Sequence, residues 1–232
     1  MQDKIKITSK KVLQEKRLRK IFLIIIILLL FLLLLFYMIV GIVYNRGNFS
    51  ITLDKNLYFD RGLIMYDDPE YKVYRPELYA EAPNTFDNIS QYWLPEDITE
   101  NYGGSHNGKN YLAYTFYVEN IGEEVRDYWS EVFIEDVLKN VDDAIRIRVY
   151  RNDEYITYAK PKPNGEAENN TVAFISDTVV GRTHVENFAP GSIDKYTLVI
   201  WIEGSDDECT DNILGGEFKV RMRFNSEYAE ES

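Results

Sequence analysis

From Ile21 to Val43 the chain runs through 23 residues of Ile, Leu, Phe, Val, Met, Tyr and Gly without a single charge. Backbone inside hydrocarbon must satisfy its own hydrogen bonds, so such a run is a helix wherever it meets lipid. At 1.5 Å per residue it spans roughly 35 Å, enough for a hydrocarbon core with some tilt. Tyr37 and Tyr44 fall where amphipathic rings settle at an interface. The flanks set its direction. Lys4, Lys6, Lys10, Lys11, Lys16, Arg17, Arg19 and Lys20 precede it against Asp3 and Glu15, while only Arg46 follows closely. The positive-inside rule then places residues 1–20 in the cytoplasm. A cleaved signal peptide would need a shorter apolar stretch and small residues before the cut, and Gly41–Gly47 offers no such site. The expected organisation is a basic cytoplasmic tail (1–20), a transmembrane helix in the lipid bilayer (Ile21–Val43) and an extracellular domain (44–232). That is a single-pass protein of the cell membrane.

Charge is divided just as sharply. Of the chain's 26 Lys and Arg and 38 Asp and Glu, residues 44–232 hold 18 and 36, a net −18. A domain that acidic repels nucleic acid and anionic lipid headgroups, so nucleic-acid binding is excluded for it. Cys209 is the one cysteine, which rules out an intramolecular disulfide. An outer domain of this size must therefore stand on its own core or on bound metal.

Period-two alternation governs the rest. Phe218, Val220, Met222 and Phe224 alternate with Glu217, Lys219, Arg221 and Arg223, and Ile145, Ile147 and Val149 with Arg146, Arg148 and Tyr150. Each predicts a strand with one apolar face and one charged, wet face. Tyr111–Val118 and Tyr196–Ile202 are apolar on both faces and predict central strands or strands covered by aromatic packing, with Phe116, Trp201 and Phe218 in the core. Further strands are expected at 49–53, 128–138, 154–160 and 171–176, and short helical turns near 83–90 and 206–213. Residues 65–83 read as a long ordered loop or a region passing from the anchor into the sandwich, and Glu227–Ser232 as a frayed tail. Seven to nine strands with wet turns predict a mainly β fold, an antiparallel, jelly-roll-like β-sandwich preceded by one helix.

Candidate sites are few. Glu203, Asp206, Asp207, Glu208 and Asp211 crowd one turn and could supply several of the six to eight oxygens that calcium takes. Their spacing is not that of an EF-hand, and a solvated acidic turn is the competing account. His106 and His184 are the only histidines, and no H-E-x-x-H motif occurs. His106, among Gly, Ser and Asn, reads as an exposed turn residue. Cys209 reads as a half-buried packing residue. No set of residues points to catalysis.

Two stretches carry a resemblance: Gly104–Gly122 (GSHNGKNYLAYTFYVENIG) and Trp201–Gly216 (WIEGSDDECTDNILGG). They resemble uncharacterised surface proteins of Gram-positive bacteria and, more distantly, the camelysin and TasA-type fibre proteins. The resemblance implies a jelly-roll sandwich and a place at the cell surface or in a biofilm matrix. No catalytic residue carries over from it. The uncleaved anchor departs from the fibre proteins, and a donated strand would have to come from residues 47–60. The leading expectation is a membrane-anchored surface protein with a non-enzymatic structural or interaction role, acting through a protein partner or self-assembly of the β domain. The alternatives are a calcium- or glycan-binding surface module and a camelysin-like metallopeptidase.

Overall fold

A computed structural model describes residues 9–44, 49–55, 57, 62–80, 83 and 86–226. The expected tail Glu227–Ser232 lies outside them. The chain divides into two compact units, Met1–Arg46 and Gly47–Ser232. The first is built on one helix, α1 (Ser9–Tyr44), which carries the apolar run and extends back into the basic residues. Its Gln14–Ile39 stretch is long and apolar enough to cross a membrane. A helix apolar on every side is unsuited to water. Length and composition fit a membrane anchor and a signal sequence alike.

The second unit is a sandwich of two sheets. Its strands are β1 (Phe49–Leu53), β2 (Leu63–Tyr66), β3 (Glu77–Ala80), β4 (Gly104–Ser105), β5 (Tyr111–Asn120), β6 (Arg126–Val137), β7 (Ile145–Arg151), β8 (Glu154–Ala159), β9 (Val172–Ala173), β10 (Val179–Phe188), β11 (Ile193–Ile202) and β12 (Phe218–Asn225). One sheet has the order β10-β6-β12-β1-β3; the other runs β2-β5-β11-β7-β8-β9, with β4 also pairing β5. The two strands apolar on both faces, β5 and β11, pair with each other at the heart of the larger sheet. Both sheets are mixed rather than wholly antiparallel, because β1 runs parallel to β12 and β9 parallel to β8. The N-terminal β1 thus lies in its own sheet, between β12 and β3.

The two sheets meet over one core. Phe116 and Tyr196 stack at 5.4 Å, and Phe224 of the opposite sheet stands edge-on to them at 5.8 and 5.2 Å. Each such ring, fully buried, contributes about 1.5–3 kcal/mol by leaving water. A polar tie crosses the same interior. The Tyr128 hydroxyl on β6 donates to Asp194 on β11 and lies 2.9 Å from the Tyr196 hydroxyl. Asn152 donates to the other Asp194 oxygen at 2.8 Å.

A third layer corrects one expectation. Ile89, Leu94 and Ile98 pack on Ala113, Val199 and Trp201, covering the second face of the larger sheet. The Lys195 ammonium fastens this cover by donating to the Thr99 carbonyl at 2.6 Å, and the Tyr117 hydroxyl donates to the Tyr102 carbonyl. The charged side of β7 is therefore not wet. Arg146 is buried, and Arg148 lies over the rings of Tyr155 (4.6 Å) and Trp201 (5.3 Å) while donating to Thr157. The charged side of β12 does reach solvent in part, with Arg221 and Arg223 side chains 35% and 33% exposed.

Residues 65–83 hold the end of β2 and all of β3 rather than a loop alone. Among the described residues short helical turns fall at Gln91–Trp93, Val141–Asp143 and Asp211–Ile213; the first lies just beyond the expected 83–90, of which residues 84 and 85 lie outside the described residues. The 171–176 strand shrinks to β9, and β10 was not anticipated.

Candidate functional site

β11 ends at Ile202, and the acidic turn follows. Its five carboxylates do not converge. Glu203 is buried, and its oxygens accept from the Gln91 N–H (2.9 Å), the Trp201 indole N–H (3.0 Å), and the Ser205 hydroxyl (2.7 Å) and N–H (3.3 Å). A carboxylate offers about four lone-pair directions, and four protein donors take them. Burial pushes this carboxyl upward, but the donors from Trp201, Ser205 and the Gln91 backbone outweigh it and hold it below the ordinary value. Glu203 is thus a clamp between β11 and the cover layer.

Asp206 is also occupied by protein groups. Its carboxylate pairs with the Arg146 guanidinium and accepts the Glu208 N–H at 2.8 Å. Arg146 also stands 3.6 Å from Glu168, which lies 3.9 Å from the Lys162 ammonium. Carboxylate oxygens of Glu168, Asp206 and Glu208 lie within 4.8 Å of one another. Burial, then the charges of Asp143, Asp206 and Glu168, push the Glu208 carboxyl upward. Asp207 and Asp211 are exposed and stand outside that triplet. Glu168 was missed from the sequence because it lies in the connection between β8 and β9, far from the turn along the chain. Only the tertiary fold brings it there.

The remaining candidates are separated. Cys209 is half-buried and packs against the main core. Burial and the carboxylates of Asp206, Glu203 and Asp87 raise its thiol, which disfavours the reactive thiolate. His106 is not an exposed turn residue. Its Nε2 lies 2.9 Å from the Thr115 hydroxyl, which lies 2.8 Å from that of Thr197, and its buried Nδ1 has no hydrogen-bond partner among the described residues. Thr115 and Thr197 are buried, whereas His106 is half-buried. His184 stacks on Trp129 at 4.2 Å, with its Nδ1 3.4 Å from Glu186. His106 contacts the covered face of the larger sheet and His184 belongs to β10 of the smaller one, so the two do not share a site.

No protein-family model matches the chain, and no curated protein matches it. Among solved structures it is similar to the β-glucosidase from Kluyveromyces marxianus in complex with glucose, with 11% identity and a TM-score of 0.27, over 72% of this chain and 15% of that one. The selenomethionine-labelled form of the same enzyme gives 12% identity and a TM-score of 0.24, over 69% and 16%. The chain spans less than a fifth of that enzyme's length. At such TM-scores the likeness bears on neither fold nor activity.

Proposed function

We propose that this is a membrane-anchored surface protein with a non-enzymatic structural or interaction role. One observation carries the reading: a helix apolar on every side precedes a separately compact, strongly acidic β unit. The helix holds the chain in the bilayer with residues 1–20 in the cytoplasm, and the β unit projects outward to meet a partner. The histidines and the thiol serve packing and hydrogen bonding within the fold, which supports a role in contact rather than chemistry. The test is topology on intact cells. In a Cys209→Ser chain, a cysteine at the exposed Leu214 position is labelled from outside by a membrane-impermeant maleimide. Labelling only after lysis overturns the reading.

A second reading is favoured by the convergence of Glu168, Asp206 and Glu208, which could hold calcium. Against it, the Arg146 guanidinium already supplies a cation to two of the three. A rise in melting temperature of the whole protein in millimolar calcium supports this reading, and an unmoved melting temperature removes it.

A further inference from the structure

Helix α1 does not begin where its apolar run begins. It starts at Ser9, twelve residues before Ile21, so the basic segment continues the same helix. At 1.5 Å per residue, Lys16, Arg17, Arg19 and Lys20 stand about 1.5–7.5 Å before the apolar run. The headgroup layer on each side of a hydrocarbon core is roughly 5–7 Å deep. With Ile21–Val43 in the core, the helix therefore sets these four cations at the depth of the lipid phosphates.

Their arrangement suits an anion. Successive helical residues turn by about 100°. Arg19, Lys16, Lys20 and Arg17 lie in that order across an arc of about 160°, with Gln14 and Leu18 on the other side. Lys16 and Lys20 are neighbours four apart, Lys16 and Arg19 three apart, and Arg17 and Lys20 three apart, each pair about 5–6 Å from Cβ to Cβ. Two cations at that spacing can bracket one phosphate. All four are exposed, and among the described residues none makes an ion pair with a carboxylate. Glu15 borders Arg19 at one end of the arc, so the stretch 15–20 holds four cations against one carboxylate, a net +3. Asp3 lies outside the described residues. Like charges at these spacings repel one another, and α1 has no acidic residue in its first turn to meet the positive end of its dipole. An external anion relieves both.

We infer that the Lys16–Lys20 turn of α1 binds the phosphates of anionic phospholipid headgroups in the cytoplasmic leaflet. That leaflet is the anionic one, and it attracts Lys and Arg placed beside a membrane span. A topology signal acts while the helix inserts, whereas this contact persists in the folded protein. The inference rests on the membrane-anchored reading and names the lipid that the anchor selects.

The test reconstitutes the full chain into phosphatidylcholine vesicles with a trace of acyl-chain spin-labelled phosphatidylglycerol or phosphatidylcholine. Electron spin resonance then reports the fraction of label held motionally restricted against the protein. The expected result is an association constant about fivefold higher for phosphatidylglycerol, the worth of about one cation at an anionic headgroup. The preference declines in 1 M salt on the unaltered protein. It vanishes when Lys16, Arg17, Arg19 and Lys20 are all replaced by Gln. Lys10→Gln with Lys11→Gln, about 15 Å before Ile21 on the same helix, leaves it in place. Equal association of the two lipids with the parent overturns the inference, as does a preference that survives the fourfold replacement or is lost with Lys10 and Lys11. Each of those outcomes leaves the anchor itself standing. An absence of restricted label for either lipid overturns the membrane-anchored reading, and the inference with it.

Discussion

Arg146 and Asp206 form an ion pair that is almost entirely out of water, their side chains 5% and 1% exposed. Two charges removed from water depend on each other, and taking away one strands the other. Arg146 keeps the more distant Glu168 at 3.6 Å, so Asp206→Ala is expected to cost about 3 kcal/mol, the low end for a broken buried pair, read by denaturant unfolding followed through tryptophan fluorescence. Asp207→Ala, on an exposed neighbour, is expected to stay within about 0.5 kcal/mol.

The tie between the sheets through Tyr128 makes a second prediction. Tyr128→Phe keeps the ring against Phe188 (5.3 Å) and Phe224 (5.9 Å) but removes the donor to the buried Asp194. Asp194 keeps Asn152 as a donor, so the loss is partial, about 1–3 kcal/mol. Thermal unfolding of the variant beside the parent measures it.

Stability falls toward acid in two separate windows. Burial, then the nearby Lys195, lowers the His106 value below its ordinary 6.5. The folded state then binds fewer protons than the unfolded chain as pH falls through this range. The stability tied to neutral His106 is full above about 6.5 and is lost below it. Glu203, held below its ordinary 4.5 by its donors, contributes stability that is present above that value and lost further into acid. His106→Gln should flatten the first decline and leave the second. Unfolding free energies between about pH 7 and pH 3 check both.

Much of the fold was legible because buried strands declare themselves locally. Phe218, Val220, Met222 and Phe224 alternate as they lie, and β5 and β11 show the doubly apolar pattern of central strands. The misses have a common physical origin in distant segments. β7 alternates Ile with Arg like an exposed strand, yet Arg146 is buried because Asp206 and Glu168 arrive from other connections. The parallel pairing of β1 with β12 joins nearly opposite ends of the β unit. β10 mixes Gly, Arg, His and Asn with its apolar residues, and its register shifts twice through irregularities that blur the period. In the acidic turn the residue types were legible, but the donors that claim Glu203 were not, because Gln91 reaches it from the cover layer.

On the proposed reading the helix stays in the bilayer and the β unit stays attached to it. The most direct measurement is the mass of the protein extracted from cell membranes after an alkaline carbonate wash, with the culture medium assayed in parallel. An intact chain near 27.2 kDa is expected in the washed membranes, with no β unit in the medium. A shorter species that begins after Val43 and is recovered in the medium would contradict it, and would make the apolar run a removed signal.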